Sequence, residues 1–131
     1  MTTVIACLLI LCILPISCAW IAAYHKKNQL GAVDNKEPRT QALALTGAGS
    51  RAVAAQSNSW EALAVFGAAV FAVFISGIAL EEIANLAMIF TLLRVVYIPM
   101  YVTDMDKFRS LIFLGGFGIC IYLFSLAIRA S

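Results

Sequence analysis

Four long apolar segments constrain this sequence more than any other feature. They cover about residues 3–23, 53–80, 83–102 and 109–129. Each has about the 20 residues that an α-helix needs to cross the hydrocarbon core of a bilayer. Hydrophobic residues make up 63% of the 131-residue chain and charged residues 12%, whereas soluble domains contain about 25% charged residues. The sequence therefore predicts a single all-α domain over residues 1–131, an integral membrane four-helix bundle surrounded by membrane lipids.

The charge and cysteine content exclude other classes of protein. A net charge of +2 is too small, and the apolar segments are too long, for a protein that binds nucleic acid. The cysteines lie within apolar segments and lack the spacing of metal ligands. They are therefore expected to be small buried side chains rather than a metal site or a disulfide framework. They are Cys7, Cys12, Cys18 and Cys120.

The first apolar segment has the properties of a membrane span rather than of a signal peptide. It lacks the positively charged start of a signal peptide, and its apolar stretch is longer than usual for one. Pro15 is tolerated inside a membrane helix, because neighbouring groups can satisfy the carbonyl that it leaves unpaired. We therefore interpret residues 3–23 as the first span.

Lysine and arginine are distributed unevenly over the two sides of the predicted bundle. One side has the long loop of about residues 24–50 and the short connection between spans three and four, with the basic residues Lys26, Lys27, Lys36, Arg39, Arg51, Lys107 and Arg109. The other side has Arg129 and the acidic pair Glu81 and Glu82. Because basic loops remain in the cytoplasm, we expect both termini on the outer side of the membrane.

Two ionisable residues, Glu61 and Arg94, lie inside apolar segments. A charge in hydrocarbon is costly unless it is paired or hydrated. Glu61 lies ten residues from Arg51, and Arg94 lies ten residues from Asp104. Each is therefore about 15 Å from a polar residue at the cytoplasmic end of its span. These matching depths predict an ion pair between Glu61 and Arg94.

Two stripes of polar side chains run from this pair towards the cytoplasm. The stripe on span three has the i, i+3, i+7 spacing of one helix face and consists of Arg94, Tyr97 and Tyr101. The stripe on span two lies within about 80° of the helix circumference and consists of Arg51, Asn58 and Glu61. Two stripes at the same depth predict a hydrated crevice that opens to the cytoplasm, with Arg109 near its mouth.

Each of these features also has an interpretation that involves no ligand. A Glu61–Arg94 pair alone would fix the register of two helices. Tyr97 and Tyr101 alone would be typical of the aromatic belt at a membrane interface, and Arg109 alone would be typical of an inside-positive anchor. A continuous column of hydrogen-bond donors favours a binding crevice, because a register pair does not need one.

Three short motifs resemble the MAPEG family, the membrane-associated proteins of eicosanoid and glutathione metabolism. Residues 55–61, Ala-Gln-Ser-Asn-Ser-Trp-Glu, resemble the Ala-Gln-x-Asn-x-x-Glu signature on the family's second helix. The segment from Arg94 to Tyr101 resembles its Arg-x-x-Tyr-x-x-x-Tyr motif on the third helix, and Arg109 resembles the basic residue that opens the fourth. Residues 34–39, followed by Arg51-Ala52, are similar to the bacterial branch of inner-membrane proteins.

The resemblance implies a homotrimer that binds glutathione as co-substrate between its subunits, near the cytoplasmic face of a bacterial inner membrane. The glutathione ligands that it implies are Gln56, Asn58, Glu61, Arg94, Tyr97 and Tyr101. Arg109 matches the arginine that stabilises the glutathione thiolate. Ala54 stands where many relatives have an arginine that contacts a glutathione carboxylate. Either Arg51, one helical turn earlier, takes its place, or the ligand is not glutathione.

The activity that the resemblance implies is that of a membrane-bound glutathione transferase or peroxidase. The thiolate is the reactive form of a thiol, and a guanidinium beside it favours the anion because arginine stays charged. The thiolate would attack a lipophilic electrophile, or reduce a hydroperoxide, supplied by the bilayer. Two alternatives remain: a non-catalytic relative that binds a lipid or a protein partner in the crevice, and a small multidrug-type exporter. Such exporters usually carry an acidic residue in the first helix, and residues 3–23 contain none.

A reporter fusion tests the predicted topology. A reporter that is active only in the cytoplasm should be silent when it is fused after Ser131, because seven basic residues flank the two cytoplasmic loops and one lies on the other side. The same reporter inserted into the loop of residues 24–50 is the positive control. Activity of the Ser131 fusion would contradict the orientation.

Overall fold

The computed structural model describes residues 1–130, and Ser131, the last residue of the predicted domain, lies outside the described residues. Its helices are α1 (Thr2–Leu30), α2 (Pro38–Ala42), α3 (Gly47–Ile75), α4 (Ala84–Val102) and α5 (Asp106–Ala130). Of these, α1, α3, α4 and α5 are long and apolar enough to cross a membrane. The predicted all-helical protein with four spans is therefore confirmed, and the chain is an integral membrane protein.

The helices extend beyond the apolar segments on the side of the long loop. The first predicted span ends at residue 23, whereas α1 continues to Leu30, and α3 begins at Gly47, six residues before the second predicted span. The loop between them is tied to the bundle. Lys26 Nζ donates a hydrogen bond to the carbonyl oxygen of Pro38 at 2.6 Å. Thr46 N donates to Gln29 Oε1 at 3.0 Å. The loop therefore packs against the ends of α1 and α3.

The opposite end of the bundle contains the main apolar core. Helices α3 and α4 each contact both α1 and α5. Phe66 of α3 and Phe90 of α4 are buried there and stack with ring centroids 4.2 Å apart. Val4, Val73 and Leu123 surround this stack and are fully buried. At the same end, the Met1 ammonium donates a hydrogen bond to the Glu81 carboxylate and thereby lowers the pKa of that carboxyl group.

The half of the bundle near the α4–α5 connection is packed with smaller side chains. Ala52 and Ala55 of α3 are fully buried against neighbouring helices. Gly49 lies so close to α1 that a Cβ atom there would be 2.8 Å from the Cβ of His25. Small side chains let α1 and α3 approach closely here. The predicted polar stripe is on the part of α4 that lies in this half of the bundle. The polar groups therefore lie between the aromatic core and the α4–α5 connection, rather than within the core.

Candidate functional site

Helix α4 places three of the predicted site residues on one face of the bundle interior. Arg94 and Tyr97 are each 3% exposed, and Tyr101 is half-buried one turn nearer the α4–α5 connection. Their i, i+3, i+7 spacing keeps them on one side of the helix. The predicted stripe therefore exists, and it faces the protein rather than lipid.

Asn58 of α3 is the hydrogen-bond partner of the buried arginine. Arg94 Nη2 donates to Asn58 Oδ1 at 2.7 Å and lies 3.4 Å from the backbone carbonyl oxygen of Asn58. The guanidinium also lies over the Tyr97 ring, with its central carbon 4.2 Å from the centroid. A hydrogen bond with an ionised donor is shorter and stronger than a neutral one. Asn58 and Tyr97 together stabilise a charge that the interior would otherwise exclude.

The predicted ion pair between Glu61 and Arg94 is wrong. Over residues 1–130, the ion pairs within 4.0 Å are Met1–Glu81 and Arg51–Asp104. Glu61 is exposed on the surface of the bundle. Asn58 lies one helical turn nearer the α4–α5 connection than Glu61. Its carboxamide occupies the position beside Arg94 that was expected for the Glu61 carboxylate.

The end of α4 explains this difference in depth. Arg51 Nε donates to the carbonyl oxygen of Val102 at 2.9 Å, which aligns position 51 of α3 with position 102 of α4. The helix ends at Val102, and Asp104 turns away with a φ of 67°. Thr103 and Asp104, which follow the end of the helix, therefore add no helical rise. Measured from the aligned ends, Arg94 is eight residues along α4 and Asn58 is seven residues along α3, so these two side chains are level.

A column of two tyrosine rings, with a guanidinium at each end, connects Arg94 to Arg109. Tyr97 and Tyr101 pack edge to face with centroids 5.5 Å apart. The guanidinium of Arg109, near the start of α5, lies 4.2 Å from the centroid of the Tyr101 ring. Cations over aromatic faces are held by the quadrupole of the ring. The column therefore fixes Arg109, whose half-buried side chain lies at the end nearer the α4–α5 connection.

Two adjoining grooves border this column and share Asn58 and Phe113 as lining residues. The polar groove has a volume of about 360 Å³ and is further lined by Tyr97, Tyr101, Arg109, Ser110 and Leu114. The apolar groove has a volume of about 150 Å³ and is further lined by Glu61, Ala62, Val65, Phe90, Arg94, Gly116, Phe117 and Cys120. Five of the predicted residues, Asn58, Glu61, Arg94, Tyr97 and Tyr101, are thus brought together with Arg109.

The other two predicted ligands, Arg51 and Gln56, lie elsewhere. Arg51 lies where the start of α3 meets the end of α4, and its Nη1 is 3.8 Å from Asp104 Oδ2. Gln56 lines a third groove, the α1–α3 groove, together with Lys26, Ala54 and Trp60. Because Gln56 and Asn58 are two residues apart on a helix, their side chains point about 200° apart. One chain does not present both to the same groove.

Sequence reasoning missed the contribution of α5 beyond Arg109. Phe113, Gly116, Phe117 and Cys120 all line the apolar groove. Their spacing of three and four residues is the periodicity of one helix face. However, every neighbouring residue of this span is also apolar, so no contrast in polarity marked the face.

The arrangement can hold an anion and an apolar molecule side by side. Arg109, Tyr97 and Tyr101, which carry hydrogen-bond donors, line the polar groove, and the aromatic residues Phe90, Phe113 and Phe117 are among those that line the apolar one. Within residues 1–130, no group of three or more His, Cys, Asp or Glu side chains is close enough to hold a metal ion. The donor set of the polar groove is suited to carboxylates or a thiolate.

The sequence also matches a known family over nearly its whole length. The model of the MAPEG family matches residues 3–129, a range that includes every residue of the two grooves. No curated protein and no solved structure matches the chain significantly. The family resemblance indicated by the motifs on the second, third and fourth spans is thereby confirmed.

A double-mutant cycle tests the partner of Arg94. Asn58→Ala and Arg94→Ala should show a coupling free energy of about 1–2 kcal/mol when unfolding is measured in detergent, because each removes one side of a buried charge-assisted hydrogen bond. The matched control is the cycle of Glu61→Ala with Arg94→Ala, whose coupling should be smaller. A Glu61 cycle with the larger coupling would mean that the carboxylate is the true partner.

Proposed function

The chain belongs to the MAPEG family, and we propose that it conjugates or reduces lipophilic electrophiles or hydroperoxides with an arginine-stabilised glutathione thiolate. Membership indicates a membrane protein of glutathione-related or eicosanoid metabolism, and the proposal selects glutathione as co-substrate. The observation that carries it is the position of Arg109, stacked on Tyr101 at the edge of an open polar groove. The groove's volume of about 360 Å³ is within the range of small-molecule sites.

Arg109 would act on the thiol of bound glutathione. A free thiol is mostly protonated at neutral pH, and the thiolate is the nucleophile. A guanidinium within a few ångströms favours the anion, and it does so without competing for the proton because arginine stays charged. Since the Tyr101 ring holds the guanidinium in place, little reorganisation would be needed when the negative charge forms.

Asn58, Tyr97 and Tyr101 would hold the rest of the tripeptide in the polar groove. Arg51, which lies beside the end of α4 and outside the polar groove, would supply the further cation that the alanine at position 54 does not provide. Its present ion pair with Asp104 joins a partly exposed guanidinium to a carboxylate that is 70% exposed. Such pairs contribute about 0–1 kcal/mol. Replacing Asp104 by a glutathione carboxylate as the partner of Arg51 would therefore cost little stability.

Gln56 faces a different groove from Asn58, and Glu61 is exposed. A homotrimer with the ligand between its subunits would explain the positions of both residues. A neighbouring copy would present its Gln56 to the site that contains Asn58. Glu61 is exposed at the midpoint of α3, where contact with lipid is costly for a carboxylate, and a neighbouring subunit would remove it from lipid. The number of three subunits rests on the family alone.

The basic loops support an orientation in which the polar groove faces the cytoplasm of a bacterial cell. Arg109 and the α4–α5 connection lie on the side that carries Lys107 and the long basic loop. By the positive-inside rule this is the cytoplasmic side. Glutathione would then enter from the cytoplasm, while apolar substrates would arrive through the bilayer of the inner membrane.

A conjugation assay tests the proposal. The purified protein in detergent should conjugate glutathione to chlorodinitrobenzene, and bound glutathione should show thiolate absorbance at neutral pH. Arg109→Leu should raise the pKa of the bound thiol and lower kcat by roughly tenfold to a hundredfold, with little change in glutathione affinity, because the interaction matters mainly for the reaction.

Lys107→Leu is the matched control, since Lys107 is exposed and lies two residues from Arg109, about 200° round the helix. It should keep the normal rate. Equal losses in the two variants would identify Arg109 as a topological anchor. Glutathione binding without any turnover would identify a binding protein rather than an enzyme.

A further inference from the structure

The α1–α3 groove runs along the bundle, away from the end that carries the long loop. At the loop end it is lined by Lys26, near the end of α1, and by Arg39 of α2. Trp20 lines it six residues earlier on α1, which is about 9 Å further along the helix axis. Trp60 lines it near the midpoint of α3, and the groove has a volume of about 880 Å³. It therefore has a basic end beside the loop and an aromatic end deeper in the bundle.

Lys26 is a buried cation without a carboxylate partner. The residue is 7% exposed, and its Nζ atom donates to the backbone carbonyl oxygen of Pro38 at 2.6 Å. That acceptor is uncharged, and an ammonium group has two further hydrogen atoms to donate. Within residues 1–130, no Asp or Glu side chain forms an ion pair with Lys26. Because a buried charge is costly unless it is paired, Lys26 favours the presence of an anion in the groove.

Arg39 adds a second cation at the same end of the groove. It directly follows Pro38, whose carbonyl oxygen accepts the hydrogen bond from Lys26. Arg39 is exposed, and within residues 1–130 its guanidinium forms no ion pair. The acidic residues of the loop, Asp34 and Glu37, do not line the groove. Two cations without a carboxylate match a phosphate group, which accepts hydrogen bonds from both arginine and lysine.

The α1 wall of the groove suits a hydrocarbon chain. Beyond Lys26 this wall consists of Ala19, Trp20, Ala22 and Ala23. Three of these four side chains are methyl groups, and Trp20 is 70% exposed. The polar side chains of the groove are on the opposite wall, formed by α3, and are those of Ser50, Gln56 and Ser57. A basic group beside the loop and an apolar wall below it follow the order of headgroup and acyl chain in a bilayer.

We infer that the α1–α3 groove binds an anionic phospholipid from the leaflet on the side of the long loop. Its phosphate lies at Lys26 and Arg39, and one acyl chain follows the α1 wall past Trp20. Basic residues next to membrane spans attract anionic lipids, and here one of the two cations is already held inside the protein. The lipid uses the α1 wall and the loop end, which leaves Gln56 on the α3 wall for a neighbouring subunit.

Tryptophan fluorescence tests the site, because Trp20 and Trp60 are the two tryptophans of the chain and both line the groove. The Trp60→Phe protein, in which Trp20 is the remaining fluorophore, is placed in bilayers of phosphatidylcholine with a fixed fraction of phosphatidylglycerol. Bromine, which quenches tryptophan on contact, is carried on an acyl chain either by the phosphatidylglycerol or by the same amount of phosphatidylcholine. The surface charge is thus constant, and the brominated anionic lipid should quench Trp20 more strongly. Equal quenching would mean that the groove holds bulk lipid and would overturn the inference.

Charge variants test the headgroup contacts. Lys26→Ala and Arg39→Ala should each lower the preference for phosphatidylglycerol by roughly fivefold, the contribution of one basic residue near a membrane surface. Lys27→Ala and Lys36→Ala are the matched controls, since each removes one positive charge from an exposed residue outside the groove. Equal losses in all four variants would indicate diffuse surface charge and no defined site. Because Arg39 is exposed, its variant keeps the experiment decisive if Lys26→Ala fails to fold.

Glutathione titration separates this lipid site from the proposed catalytic site. Calorimetry in the same bilayers should give one glutathione affinity for the wild type, Lys26→Ala and Arg39→Ala. Weaker glutathione binding with an unchanged preference for phosphatidylglycerol would overturn the inference and assign the two cations to the glutathione site of a neighbouring subunit. A wild type that prefers phosphatidylglycerol at Trp20 but does not bind glutathione would refute the proposed function and support the lipid site.

Discussion

The charge of Arg94 is the constraint on which the site depends. A guanidinium this deep in a membrane protein must be given acceptors by the protein, because lipid offers none. Asn58 supplies a carboxamide oxygen at 2.7 Å, and Tyr97 supplies the face of its ring. The amide satisfies the arginine without neutralising it. Arg94 therefore retains a positive charge inside the bundle.

Contacts between guanidinium groups and tyrosine rings continue from Arg94 to Arg109, near the end of the bundle at the α4–α5 connection. Each ring packs on the next group of the column, so Arg94, Tyr97, Tyr101 and Arg109 constrain one another's positions. Helix α5 contributes Arg109 at its start and the aromatic wall of the apolar groove further along. The relative placement of α4 and α5 therefore sets the position of the cation that would activate a thiol.

The sequence predicted the spans and the polar face of α4 correctly, but not which side chain binds Arg94. The number of spans and the face of α4 could be read from hydropathy and from the spacing of Arg94, Tyr97 and Tyr101, because both depend on local periodicity. The partner of Arg94 could not, because it depends on where α4 stops. Counting to Asp104 placed Glu61 level with Arg94, whereas the helix ends at Val102 and brings Asn58 to that depth. The groove face of α5 left no signal, since one apolar face on an entirely apolar helix has no contrast. Orientation and subunit number remain predictions.

Calorimetric titration of the purified protein with glutathione tests the central claim most directly. The account predicts saturable binding to the wild type and to Arg129→Ala, which removes an exposed arginine at the far end of α5. It predicts strongly weakened binding to Arg94→Ala, because Asn58 and Tyr97 would lose the group that positions them. Absence of binding to the wild type, or equal affinity in Arg94→Ala, would contradict the account.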